Sequence, residues 1–215
     1  MNLIKDIKKE EILIGVTAAV IGYVIVNKFF LNKKDSKKSK ITDKPFRLTN
    51  PGIELRDKPS DEELTAKFKS IAGNDYNSYI ESLKQIPLEP IIAIRQLYQE
   101  SSFSPNVINC SRTSSAGAKG IAQFMPNTWL SYSNGNPCNV SDSLKAHAKL
   151  MKVLMNKYPG RPDLALAGYN SGPYIKDNQG RYIYNLAFEN KTPFRELKGI
   201  IPSESYKYSS SILRP

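Results

Sequence analysis

Pro90-Ile91-Ile92-Ala93-Ile94-Arg95-Gln96-Leu97-Tyr98-Gln99-Glu100-Ser101-Ser102-Phe103-Ser104-Pro105 is the stretch on which the reading of this chain turns. Proline is tolerated in the first turn of a helix, where its missing N–H would have had no partner, so a helix is expected to open near Pro90. It should close before Pro105. On that helix Ala93, Leu97 and Glu100 fall on one side, spaced i, i+4 and i+7. A carboxylate that ends an apolar face sheds part of its water. Desolvation disfavours the charged form, so such a group can hold a proton near neutral pH and serve as a general acid. The same position also accommodates an ordinary helix-end glutamate with a solvated head, and the spacing alone does not choose between them.

The neighbours of Glu100 are more informative. Residues 101–141 contain no other Asp or Glu, although Ser, Thr, Asn and Gln abound there. A glycosidase built on two carboxylates needs a second one within several ångströms. Asp142, Asp163 and Asp177 are the candidates the fold could still bring in. Ala116-Gly117-Ala118-Lys119-Gly120-Ile121-Ala122-Gln123-Phe124-Met125-Pro126 follows, with two glycines three apart that suit a close backbone approach. Gln123 is expected to project from a helix start, offering both donor and acceptor to sugar hydroxyls and amides. In Ala165-Leu166-Ala167-Gly168-Tyr169-Asn170-Ser171-Gly172-Pro173 a phenol and an amide sit where a helix turns sharply. Trp129 could be a stacking platform or part of the core, and His147, on a strongly apolar face, reads as packing.

Further out, Ser60-Asp61-Glu62-Glu63 is a capping box ahead of Leu64, Phe68 and Ile71. Asp142–Tyr158 places Leu144, His147, Ala148, Met151, Leu154, Met155 and Tyr158 at helical spacing, and a further helix is expected over Pro162–Tyr169. Strand-like alternation is nearly absent; Arg181–Tyr184 is the best candidate. The domain over 61–215 should therefore be mainly α, with roughly six to eight short helices.

The whole chain has 215 residues, long enough for one ordinary domain with appendages. Its net charge of +11 is uneven, since residues 27–47 alone carry eight Lys and Arg against two Asp. The excess describes a basic linker over 32–60 more than a basic domain, and no nucleic-acid partner is expected. After a polar segment over 1–11, residues 12–31 approach the roughly 20 apolar residues that cross a bilayer as a helix. The stretch beyond them has no small-x-small cleavage site, so an uncleaved single-pass anchor is expected over 12–31. One His and two Cys exclude most zinc sites, iron–sulfur clusters and histidine triads, and no metal or cofactor is indicated. Cys110 and Cys138 could pair in an oxidising compartment, and the sequence leaves that open.

Taken in order, four blocks resemble the lytic transglycosylases of the soluble (SLT) type. They are Glu100-Ser101-Ser102-Phe103-Ser104-Pro105, Gly120-Ile121-Ala122-Gln123-Phe124-Met125-Pro126, Gly168-Tyr169-Asn170-Ser171-Gly172-Pro173 and, more weakly, Glu204-Ser205-Tyr206-Lys207-Tyr208. The third block has Gly168 and Ser171 where the family pattern has alanine, and Gly168 is expected to loosen the helix carrying Tyr169. The resemblance covers roughly residues 75–212. It implies a lysozyme-like helical fold that cleaves the β-1,4 bond between N-acetylmuramic acid and N-acetylglucosamine in peptidoglycan. Glu100 would be the lone acid and base. Ser101, Gln123, Tyr169 and Asn170 would line the cleft or orient Glu100, with Met125 against the sugar and Tyr208 beside the acid. A goose-type lysozyme-like hydrolase of the same bond and an inactive glycan-binding or structural membrane protein stay open as alternatives.

The expected partners are peptidoglycan strands and, through residues 12–31, a lipid bilayer. Lysines follow the apolar run more densely than they precede it, which would hold the domain on the cytoplasmic side. Peptidoglycan lies on the other side. That conflict points either to an envelope enzyme facing the wall or to an enzyme carried on the membrane of a virus particle among virion proteins.

Overall fold

In the computed structural model of the chain, which describes residues 58–213, the first helix opens as its capping box requires. Ser60 Oγ accepts from the Glu63 N–H at 3.2 Å, while Glu63 Oε2 accepts from the Ser60 N–H at 2.8 Å. This helix, α1 (Asp61–Ala72), buries Leu64, Phe68 and Ala72. Next come α2 (Asp75–Lys84), α3 (Pro90–Ser101), the single turn α4 (Pro105–Ile108) and α5 (Pro126–Tyr132). The long α6 (Val140–Lys157), α7 (Pro162–Ser171), α8 (Ile183–Glu189) and α9 (Ser203–Leu213) complete the α-helices, with a 3₁₀ turn at Phe194–Leu197. Pro90, Pro105, Pro126 and Pro162 each stand at a helix start, so four boundaries are written by the residue that fits only there.

Among the described residues there is no strand, only three isolated bridges. The strand expected over Arg181–Tyr184 is reduced to one of these, Lys176 with Tyr182. Ile183 and Tyr184 are both buried and open α8. Two successive inward side chains suit a helix turn and violate the alternation of a strand. The expected membrane helix over 12–31, the segment 1–11 and the linker up to residue 57 lie outside the described residues. Within the described residues no helix is long and apolar enough to cross a membrane.

The main core is built by α1, α2, α3 and α6, with Phe68, Leu83, Ile94, Leu97, Leu144 and Leu154 almost fully buried. A second apolar cluster, including Tyr158, Leu164, Ile183, Tyr184 and Leu197, supports α7 and α8 from behind. Arg95 ties three helices together. Its guanidinium grips the Asp61 carboxylate of α1 through Nε at 2.9 Å and donates from Nη1 to the Ile212 carbonyl near the end of α9 at 3.1 Å. A planar fork with several donors can do both at once, which a lysine could not. Ser209 on α9 donates to the Asp163 carbonyl of α7 at 3.0 Å. The last helix is thereby fixed against both α3 and α7.

Cys110 and Cys138 form a disulfide, with Cα atoms 5.5 Å apart and a sequence separation of 28. The closed loop contains the whole Gly120–Met125 segment. Gly120, at φ +76°, lies so close to the chain that a Cβ there would stand 1.9 Å from the Pro137 carbonyl oxygen. That close approach is what the glycine spacing announced. In the chain-entropy picture a loop of this length is worth about 3–4 kcal/mol. The double variant Cys110→Ser/Cys138→Ser should therefore unfold in urea at a clearly lower midpoint, by about that amount, with an unaltered helical circular-dichroism spectrum before the transition. An unchanged midpoint would show that the loop is held without the disulfide.

Candidate active site

The helix α3 ends in a turn that holds Glu100 in place. Ser102 and Phe103 both adopt left-handed backbone conformations, at φ 50° and 52°. Non-glycine residues resist that region, so something must compensate. Ser101 does so. Its buried hydroxyl donates to the Leu97 carbonyl at 2.9 Å and accepts from the Phe103 N–H at 3.1 Å. Ser101 is therefore placed behind the cleft wall, fastening the turn, and is not among the residues that line the cleft. Phe103, which the turn delivers inward, is 2% exposed and packs on Phe68 and Tyr98.

Glu100 faces a cleft of about 290 Å³ lined also by Gln123, Met125, Tyr169 and Asn170. Four of the residues singled out from the sequence besides Glu100 thus meet at one place. Ser114, Ala118, Phe124, Thr128 and Leu150 line the same cleft and were not foreseen. Thr128 follows Met125 by three positions at the start of α5, a spacing that would have revealed it. Leu150 sits mid-helix on α6 and gave no signal beyond its apolar period.

Gln123 does not project from a helix start as expected. It occupies a tight turn closed by paired Lys119 and Phe124 backbone hydrogen bonds, each 3.0 Å, with φ +47° at Gln123 itself. Its amide nitrogen donates to the Gly120 carbonyl at 2.8 Å, so the acceptor this cleft-lining residue can still offer a ligand is Oε1. The Tyr169 hydroxyl donates to the Ala122 carbonyl at 2.6 Å and so pins this turn to α7. Asn170 accepts from the Ser205 hydroxyl of α9 at 2.9 Å, keeping its own NH₂ for a ligand. Met125, 42% exposed, forms an apolar lip. Gly168 was expected to loosen α7, but it lets the Gly172-Pro173 turn fold back. A Cβ at Gly168 would lie 3.3 Å from Pro173 Cβ, tighter than a relaxed contact.

Tyr208, on α9, is buried and donates its hydroxyl to Glu100 Oε1. Burial pushes the Glu100 carboxyl up to about 7, and the Tyr208 hydrogen bond opposes that rise. Burial also raises the Tyr208 and Tyr169 phenols well above their ordinary range, with the Glu100 charge adding to both, so both remain neutral donors.

None of the three candidate aspartates reaches this cleft. Asp142 accepts from the Asn136 N–H at 2.9 Å, Asp163 is paired with Arg161, and Asp177 is held by Arg181. Glu100 is the one acid among the described residues that line it. Trp129 is 6% exposed, packs edge-on to Phe124 and donates to the Gly135 carbonyl at 3.2 Å, so it belongs to the core and offers no face to a sugar. His147 is fully buried but is not simple apolar packing, because both of its ring nitrogens have polar partners.

A half-buried lone acid with neutral phenols around it can give up a proton to a bound oxygen and then take one back. Residues 75–192 match the family described as Transglycosylase SLT domain, and the chain belongs to that family, whose activity is lytic cleavage of peptidoglycan. The matched segment carries Glu100, Gln123, Tyr169 and Asn170 and ends before α9, so Tyr208 lies beyond it. No solved structure matches the chain.

The raised carboxyl also has a consequence for stability. A carboxyl whose folded pKa lies above its unfolded value binds protons more tightly when folded, so stability falls as pH rises from about 4.5 through about 7. Glu100→Gln removes that ionisation. The variant should match the wild type in urea unfolding at pH 4 and exceed it at pH 8, by about 3 kcal/mol. Equal stability at both pH values would mean that the carboxyl is not shielded.

Proposed function

We propose that this protein cleaves the MurNAc-β-1,4-GlcNAc bond of peptidoglycan and closes a 1,6-anhydro ring on the muramic acid, with Glu100 serving as both acid and base. The single observation that carries this reading is the solitary carboxyl at the cleft, pushed up to about 7 and held by Tyr208. Its proton passes to the glycosidic oxygen as the C1–O bond breaks. The sugar becomes oxocarbenium-like, and its own N-acetyl carbonyl oxygen stabilises the charge, which removes the need for a second protein carboxylate. Glu100 is now ionised and accepts the proton of the C6 hydroxyl, while O6 bonds to C1. Proton and electron pairs balance without water, and the enzyme returns to its starting state.

Within this scheme Gln123 Oε1 accepts from the substrate and the Asn170 NH₂ donates to it. Met125 lies against a sugar face. Tyr169 holds the Gln123 turn in register, and Ser101 holds Glu100. The enzyme is anchored by residues 12–31 with its domain on the wall side of a membrane, in a cell envelope or on a virus particle. The Cys110–Cys138 disulfide supports exposure to an oxidising environment.

Digestion of purified cell walls tests the chemistry. Soluble products should be lighter by one water than those of a hydrolase, and Glu100→Gln should release none while folding normally. Hydrated reducing ends from the wild-type protein would replace this reading with a lysozyme-like hydrolase. Failure of both proteins to release anything, with binding to walls retained, would indicate a glycan-binding domain.

A further inference from the structure

Outside the cleft, at the far end of α6, four surface side chains form a ledge that the cleavage chemistry does not use. Lys157 places its ammonium over the Tyr174 ring, 4.8 Å from the centroid, and Lys176 does the same over Tyr182, also at 4.8 Å. The two rings meet edge to face at 5.9 Å. Both are exposed, and side by side they make a patch, not a scatter of single apolar residues. The loop that carries them is tightly fastened. Asp177 Oδ1 accepts from the Gln179 and Arg181 N–H groups, both at 2.9 Å. The Ile183 N–H donates to the Ile175 carbonyl at 3.0 Å, and the Tyr158 hydroxyl donates to the Pro173 carbonyl at 3.2 Å.

The positive charge of this ledge is not neutralised. Neither Lys157 nor Lys176 has a carboxylate partner among the described residues, and the acids of the same region, Asp163 and Asp177, are taken by Arg161 and Arg181. Helix α6 itself carries Lys145, Lys149, Lys152 and Lys157 against Asp142 alone. A free surface lysine wanders among rotamers. Held over a ring, it keeps its charge in one place and loses less freedom when an anion binds. The ledge also continues the cleft by two routes. Leu150, in the cleft wall, shares a face of α6 with the exposed Val153 and with Lys157, about 10 Å further along. Asn170, in the same wall, precedes Tyr174 by four residues across the Gly172-Pro173 turn.

We propose that Lys157, Tyr174, Lys176 and Tyr182 form a second binding site, continuous with the cleft, for the carboxylates of the peptides that muramic acid carries. Through it the enzyme prefers peptide-bearing glycan to bare glycan. A sugar stacks on a bare ring face, whereas here an ammonium covers one face of each ring and the ledge offers charge. Glycan stripped of peptide keeps only the lactyl carboxylate, close to the sugar ring. The peptides add carboxylates that extend away from the glycan, as a site about 10 Å beyond the cleft wall requires. The proposal rests on peptidoglycan as the substrate, and it holds whether or not the product is an anhydro sugar.

The test is calorimetric binding to the full chain carrying Glu100→Gln, so that bound glycan is not cut. The probes are soluble, uncrosslinked glycan strands with their peptides and the same strands after an amidase has removed them. Peptide-bearing strands should bind roughly five- to tenfold more tightly at low salt, and added salt should erode that ratio. Adding Lys157→Gln and Lys176→Gln together should bring the ratio to one while leaving affinity for stripped strands unchanged. Equal weakening toward both kinds of strand would make the ledge a plain sugar subsite and overturns the proposal, as does an unchanged ratio. Loss of binding to phosphatidylglycerol vesicles in the double substitution, with the strand ratio intact, assigns the ledge to a membrane surface and overturns it too. Strands bound without discrimination defeat this proposal alone, whereas binding of neither kind defeats the peptidoglycan reading with it.

Discussion

Removing one carboxyl group from water is the constraint around which this domain is arranged. An isolated acid in an apolar setting is expensive to ionise, and proteins normally avoid it or pair it with a cation. Here the acid is met by a phenol. Tyr208 gives Glu100 a hydrogen without giving it a positive charge, so the carboxyl is oriented while its affinity for a proton stays high. An arginine in the same place would have fixed the geometry and destroyed the acidity.

Much of the fold can be understood as what that arrangement requires. Glu100 stands at the end of α3, where the strained left-handed pair Ser102 and Phe103 is compensated by Ser101. Tyr208 arrives from the far end of the chain, so α9 must be held firmly. Arg95 on α3 itself, together with Ser205 and Ser209 contacts to α7, supplies this. The opposite wall is a loop, the turn around Gln123, and loops move. Its rigidity comes from three different sources: the Gly120 approach to Pro137, the Tyr169 hydroxyl on Ala122, and the disulfide around the whole segment.

The parts of this account that could be read from the chain are those written in local chemistry. The Ser60 capping box, Pro90 and Pro162 at their helix starts and the glycine spacing each specify a backbone geometry that few other residues allow. Glu100 was legible as a candidate because a carboxyl ended an apolar face. Helix α2 was not foreseen, since it buries only Tyr79 and Leu83 and has no capping side chain, too narrow a stripe to stand out. Helix α8 was not foreseen, and its first two residues fell in the best strand candidate, because seven residues carry too little period to tell helix from strand. His147 looked like packing, since its partners come from α2 and α3 and only the fold brings them together. Whether Cys110 and Cys138 meet depended likewise on where two loops land.

Ionisation of Glu100 in the wild-type protein is the quantity on which all of this converges. Site-resolved ¹³C NMR of its side-chain carboxyl across pH, without substrate, reads it directly. The arrangement described here places the midpoint near 7. A midpoint near the 4.5 of an ordinary glutamate would mean that the group is solvated and already ionised at neutral pH, and a lone acid in that state could not begin the reaction.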